Sequence, residues 1–186
     1  MKSKNFIHRD VMGRIQERLF PSKAVILLGP RQSGKTTLIE AVLELSGESY
    51  LMLNADEPDV RELLQNVTST RLKTIIKGNR IVCIDEAQRI SNIGLTLKLM
   101  TDQIPEVQTI ATGSSSLELN SSIAEPLTGR KFEFTLPPLS FNELASYHGL
   151  LEERRFLEHR MIYGSYPEVV ISSGREEELV KLLAGS

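Results

Sequence analysis

The chain has 186 residues, 40% of them hydrophobic and 25% charged, with 12 glycines and 8 prolines. A chain of that size and composition can bury a substantial core, which excludes general disorder and collagen-like or low-complexity structure. The 22 basic and 24 acidic residues leave a formal net charge of -2, so no global positive field attracts nucleic acid, and zero Trp with four Tyr gives little of a base-stacking platform.

The single cysteine, Cys83, cannot form an internal disulfide. MKSKNFIHRD has no signal-peptide core, and no apolar run approaches the roughly 18–20 residues that cross a bilayer. A cytoplasmic protein without membrane insertion is expected.

In chain order, FIHRDVMGRIQERLF spaces Ile7, Val11, Ile15 and Leu19 as one helix face, interspersed with Arg9, Arg14 and Arg18 and ended by Pro21. AVILLG, 24–29, reads as a strand buried on both faces. Residues 36–45 switch to helical spacing, with Leu38, Val42 and Leu45 on one face. SYLMLNAD is a second strand, and PDVRELLQN a helix capped near Asp56 or Asp59. A helix over 70–77 precedes the strand Ile81–Ile84. Ile93, Leu97, Met100 and Ile104 mark the next helix, VQTIATGSSS a strand and its exit loop, and RKFEFTL a last strand. Pro137 and Pro138 form a junction to helical segments beginning in PLSFNELASY, where Phe141, Leu144 and Leu150 are expected to pack, and continuing over 151–161 and 175–184.

Alternating strands and helices predict a three-layer α/β domain with a mostly parallel sheet. The expected division is a sheet-domain core with its N-terminal helix over 1–136, and a helical segment, incomplete as a unit, over 137–186.

The chemical signal is GPRQSGKT, 29–36, a full Gly-x-x-x-x-Gly-Lys-Ser/Thr phosphate-loop pattern between a strand and a helix. Backbone N–H groups in such a turn surround phosphate oxygens, and the helix N-terminus adds partial positive charge. Gly29 and Gly34 allow the close turn, Lys35 reaches the terminal phosphates and Thr36 supplies a magnesium ligand. The candidate binding set is Gly29, Pro30, Arg31, Gln32, Ser33, Gly34, Lys35, Thr36 and Thr37. Among these, Arg31, Gln32 and Ser33 either touch phosphate or hold the loop, and Thr37 either touches phosphate or packs at the helix start.

IVCIDEAQ then delivers Asp85 and Glu86 to the C-terminal edge of an apolar strand, where ligands collect in parallel sheets. Asp85 is expected to hold magnesium with Thr36, and Glu86 to orient or deprotonate the attacking water. In Thr112-Gly113-Ser114 a hydroxyl stands beside the γ-phosphate or the water; Ser114 is the first choice and Thr112 the rival. Cys83 reads as a buried core residue, and His8, His148 and His159 have no metal-ligand spacing.

GPRQSGKT and IVCIDEAQ resemble the AAA+ branch of phosphate-loop ATPases, the ASCE-type fold. TGSSS, PLTGR, TLPPLSFNEL and YGSYPEVV resemble, more narrowly, bacterial and archaeal ATPases with GPRQ-x-GKT and DEAQ motifs, commonly followed by an uncharacterised or nuclease-like C-terminal domain. The resemblance implies ATP as the nucleotide, a sensor role for Ser114, and an arginine finger at Arg130 that completes a neighbouring subunit's site in a homo-oligomer. Ser33 stands where that group commonly has an apolar residue. The local reading keeps Arg130 equally open as a surface residue or carboxylate partner, and Tyr166-Pro167 as either a nucleobase contact or simple packing.

The function expected is magnesium-dependent ATP binding and hydrolysis coupled to an attached domain or a protein partner. The alternatives are an ATP-responsive regulatory module with little turnover and, less favoured, a nucleic-acid-remodelling ATPase.

Overall fold

A computed structural model describes residues 6–114, 125–172 and 174–184. The exit-loop residues Ser115 and Ser116 and the N-terminal MKSKN lie outside the described residues. Five strands, β1 (Ala24–Leu28), β2 (Tyr50–Asn54), β3 (Ile81–Asp85), β4 (Gln108–Gly113) and β5 (Lys131–Thr135), form one sheet in the order β2-β3-β4-β1-β5. All four pairings are parallel. The three inner strands are buried throughout, as continuous apolar runs in a parallel sheet require, whereas the edge strands β2 and β5 are half exposed.

Alternation along the strands divides the core into two layers. Ala24, Ile26 and Leu28 face α3 (Pro58–Leu64), α4 (Ser69–Ile76) and α5 (Ile93–Gln103), through Leu64, Leu72, Ile76, Leu97 and Met100. Val25 and Leu27 face α1 (Val11–Gln16) and α2 (Lys35–Ser46), through Met12, Ile15, Leu38, Ile39, Val42 and Leu43. The result is the α/β three-layer phosphate-loop fold, with a mostly parallel central sheet. Among the described residues no helix is long and apolar enough to cross a membrane.

Several local expectations are corrected. The first helix spans only Val11–Gln16, because Ile7 joins a separate apolar cluster with Leu139, Leu144 and Val170, and Arg9 is drawn into the interior. Positive φ at Phe20 and Ser22 turns the chain after it. The buried face of α2 follows the adjacent pairs Leu38/Ile39 and Val42/Leu43, leaving Leu45 64% exposed. Glu57, rather than Asp56 or Asp59, is the cap residue of α3, with Pro58 starting the helix.

The C-terminal helices are α6 (Phe141–His148), α7 (Leu150–Arg155), α8 (Leu157–Tyr163), α9 (Pro167–Ile171) and α10 (Glu176–Ala184). A helix lies within YGSYPEVVISSG, started by Pro167 and anchored by buried Val169 and Val170. Leu144 packs as expected, but Phe141 and Leu150 are largely exposed.

One buried ion pair ties these helices to the N-terminal segment. Arg9 Nε donates to Glu143 Oε1 at 3.0 Å, and both residues are buried. Glu143 also belongs to a reciprocal capping box with Ser140 at the start of α6. Burial pushes the Glu143 carboxyl up, but hydrogen bonds from the Ser140 and Asp10 amides and from Arg9 outweigh it, so its pKa lies below the ordinary value.

A depressed carboxyl pKa contributes stability above the unfolded value of about 4.3 and loses it as pH falls through the folded value. Glu143→Ala is therefore expected to cost about 3–5 kcal/mol at neutral pH. In urea denaturation at a series of pH values, its difference from wild type should shrink below about pH 4.3.

Candidate nucleotide-binding site

The site lies at the C-terminal edge of the sheet. β1 runs into Gly29, the loop turns through Gln32 and Gly34 with φ of 61° and 89°, and α2 begins at Lys35. Gly29 leaves no room for a side chain: a Cβ there would stand 2.4 Å from the Leu136 carbonyl oxygen and 3.0 Å from Ser33 Oγ. Gly34 supplies the left-handed torsion that precedes the helix.

Lys35 is buried, and its Nζ donates to the carbonyls of Gly29 and Pro30, at 3.0 Å each. Burial pushes the pKa of this ammonium down; the charges of Glu86 and Asp85 oppose the shift, and Arg31 adds to it. Arg31, Gln32, Thr36 and Thr37 are exposed, Pro30 is half-buried and Ser33 is fully buried. The Ser33 hydroxyl has no hydrogen-bond partner.

Asp85, the last residue of β3, gathers groups from α2, from β4 and from its own following turn. Its Oδ2 accepts from Thr36 Oγ1 at 2.8 Å, and its Oδ1 accepts from Thr112 Oγ1 and from the Glu86 amide, the latter at 3.2 Å. Thr112, at the end of β4, is wholly buried and also accepts from the Glu86 amide at 3.3 Å. Glu86 adopts a left-handed backbone (φ 52°), a conformation rare for a residue with a side chain and recurrent at functional sites. Its Oε2 accepts from Gln88 Nε2, so the last residue of DEAQ restrains the acid.

Ser114 stands directly beyond β4, next to Gly113, whose carbonyl accepts from the Gly29 amide at 3.2 Å. Thr112, the rival named from sequence, donates its hydroxyl to Asp85 beside that of Thr36. Cys83 is fully buried in β3 and its thiol is pushed far up by burial, with Asp85 and Glu40 adding, which fits a core residue.

Arg130 is not brought to this edge in its own chain. It immediately precedes β5, and its carbonyl accepts from Ala24 N at the opposite end of β1, a strand length away, roughly 15 Å at about 3.3 Å per residue. Its Nε pairs with Asp102 Oδ1 at 2.6 Å.

Beside the loop, a cavity of about 260 Å³ is lined by residues including Ile7, Arg9, Gly34, Leu139, Pro167 and Ile171. Pro167 Cγ lies 3.6 Å from the place a side chain on Gly34 would begin. Pro167 thus packs on the phosphate loop.

Two residues with structural weight escaped the sequence reading. Gln88 lay in the quoted motif without a role, and its adjacency to the acids was the available signal. Arg9 had no signal beyond being one of three arginines in an apparent amphipathic helix.

The family model described as an AAA domain matches residues 21–145. The chain belongs to the AAA domain family. An uncharacterized protein of Methanocaldococcus jannaschii is 24% identical over 91% of this chain and 40% of its own length. Uncharacterized proteins of Mycobacterium bovis and Mycobacterium tuberculosis are each 31% identical over 74% of this chain and 30% of their own length. The chain therefore spans between 30% and 40% of the length of these curated relatives. The Walker-type ATPase PABY2304 of Pyrococcus abyssi shares the fold, with a TM-score of 0.62 at 18% identity, over 96% of this chain and 72% of that one. Membership of the AAA domain family supports ATP binding and hydrolysis in general terms.

The donor set suits magnesium: hard oxygens from the Thr36 hydroxyl and Asp85 carboxylate lie together beside a phosphate loop. Among the described residues there is no cluster of three or more His, Cys, Asp or Glu that would suit an all-protein metal cage.

Because the Leu136 backbone blocks a Cβ at Gly29, Gly29→Ala should destabilise this AAA domain by about 1–3 kcal/mol, measured by urea denaturation. It should also weaken nucleotide binding, since the strain falls within the loop.

Proposed function

We propose that the domain binds magnesium-ATP and hydrolyses its β–γ phosphoanhydride bond, coupling that cycle to its C-terminal helices, an attached domain or a protein partner. One observation carries the reading. Lys35, Thr36, Asp85 and Glu86 converge on one sheet edge, at the mouth of a strand-loop-helix phosphate cradle.

In this reading, loop amides between Arg31 and Thr36 cradle the phosphates, and Lys35 turns from the Gly29 and Pro30 carbonyls to the terminal phosphate oxygens. Thr36 and Asp85 hold the ion, which when bound neutralises charge on the β- and γ-phosphate oxygens. Glu86, restrained by Gln88, accepts a proton from the water that attacks the γ-phosphorus as the bond to the β-phosphate oxygen breaks, releasing ADP and phosphate. Thr112 fixes Asp85 from below, and Ser114 is the nearby hydroxyl for the phosphate or water. The cavity beside Gly34 is where the nucleoside end would rest, with Pro167 as its wall. Arg31, Gln32 and Thr37 face solvent at the loop rim, suited to outer phosphate contacts.

A second reading has one observation in its favour. Arg130 stands at the far sheet edge, outside its own site, so an ATP-responsive module with little turnover alone would gain activity from a neighbouring copy that presents this residue.

Steady-state phosphate release and nucleotide binding test these readings. Lys35→Ala should abolish binding, whereas Glu86→Gln should bind ATP and lose turnover by about 100- to 10,000-fold. Equal phosphate release by Glu86→Gln and wild type would remove Glu86 from the mechanism. In the second reading, specific activity rises with protein concentration and Arg130→Ala abolishes that rise. A flat concentration profile, identical in both proteins, would count against it.

A further inference from the structure

Arg9 precedes α1 and is 4% exposed, an uncommon position for a guanidinium. Its donors are divided among three parts of the chain. Nε donates to Glu143 Oε1 at 3.0 Å, Nη1 to the Ser33 carbonyl at 2.9 Å, and Nη2 to the Pro137 carbonyl at 2.6 Å, with Pro138 at 3.5 Å. Ser33 belongs to the phosphate loop, Glu143 to the first turn of α6, and the two prolines to the junction that leaves β5. The same Glu143 oxygen takes the Asp10 amide at 2.9 Å, so the carboxylate fixes the backbone on both sides of the contact.

We propose that Arg9 is a positioning residue that sets the phosphate loop in register with the C-terminal helices, so that nucleotide occupancy and the placement of α6 are coupled. The proposal rests on the nucleotide-binding reading above. A guanidinium is a planar fork with fixed angles between its donors. Movement of the Ser33 peptide therefore either breaks the Nη1 bond or carries the fork, and with it Glu143 and the start of α6.

Two features make that peptide the point of transmission. The Ser33 side chain is buried without a hydrogen bond, so the carbonyl is the residue's polar tie to the N-terminal segment. Lys35 also rests on the loop carbonyls of Gly29 and Pro30, bonds that a bound triphosphate would exchange for its own oxygens. Coupling free energies are reciprocal, so whatever shifts α6 must also shift nucleotide affinity by the same factor.

The full chain is titrated with ADP by calorimetry, and amide hydrogen exchange is followed with and without ADP. The proteins compared are wild type, Arg9→Lys, and the double variant Arg9→Met with Glu143→Gln, which leaves no charge buried alone. In wild type, ADP should slow exchange both in the loop, 29–36, and in α6. In the double variant, ADP should bind about five-fold or more weakly, keep its protection of the loop and lose its protection of α6. Arg9→Lys should recover part of both effects, and it alone carries the test if the double variant melts below the working temperature. A double variant, or in that case Arg9→Lys, with wild-type affinity and wild-type protection of α6 would overturn the coupling while leaving nucleotide binding standing. No ADP binding by wild type would overturn the functional reading and this proposal with it.

Discussion

The carboxylate of Asp85 is the constraint around which the site is arranged. It takes hydrogen bonds from Thr36 after β1, from Thr112 at the end of β4, and from the backbone of Glu86 after its own strand. These groups meet because β4 is inserted between β1 and β3 and all three run in parallel. A slip of one residue would turn Thr112 to the opposite face. Sheet register and site geometry are thus one requirement, and the buried apolar residues of the three inner strands enforce it.

Much of this was legible because the residues involved obey simple periodicities. Ile93, Leu97, Met100 and Ile104 predicted one helix face and all four are buried. β1 and β3 stood out as short apolar runs, β5 by partial alternation, and the phosphate loop carried its own spacing. Leu45 failed the same argument, since a helix resting on a sheet selects pairs such as Leu38/Ile39 and Val42/Leu43 over a strict interval. The helix at Pro167–Ile171 is only five residues long, too short to establish a period.

Arg9 was illegible for a different reason. Nothing local distinguishes it from Arg14 and Arg18, which lie on exposed turns of the same segment and pass over the rings of Phe134 and Phe132. Its partner Glu143 is 134 positions away. Polar contacts across such separations arise from topology, and no pattern in a single sequence carries them. The same limit applies to Thr112: its contact with Asp85, 27 positions away, depends on how β4 pairs with β3.

The resting position of Lys35 has a consequence for discrimination. Its ammonium is already solvated by two loop carbonyls in a buried setting. An arriving anion that takes over these N–H donors must replace carbonyl contacts, and a small singly charged anion offers little in exchange. A polyphosphate brings several oxygens at once and engages the loop amides in the same event. If the loop holds a nucleotide as proposed, the lysine would act as a threshold against simple anions, built from the same backbone that would cradle the ligand.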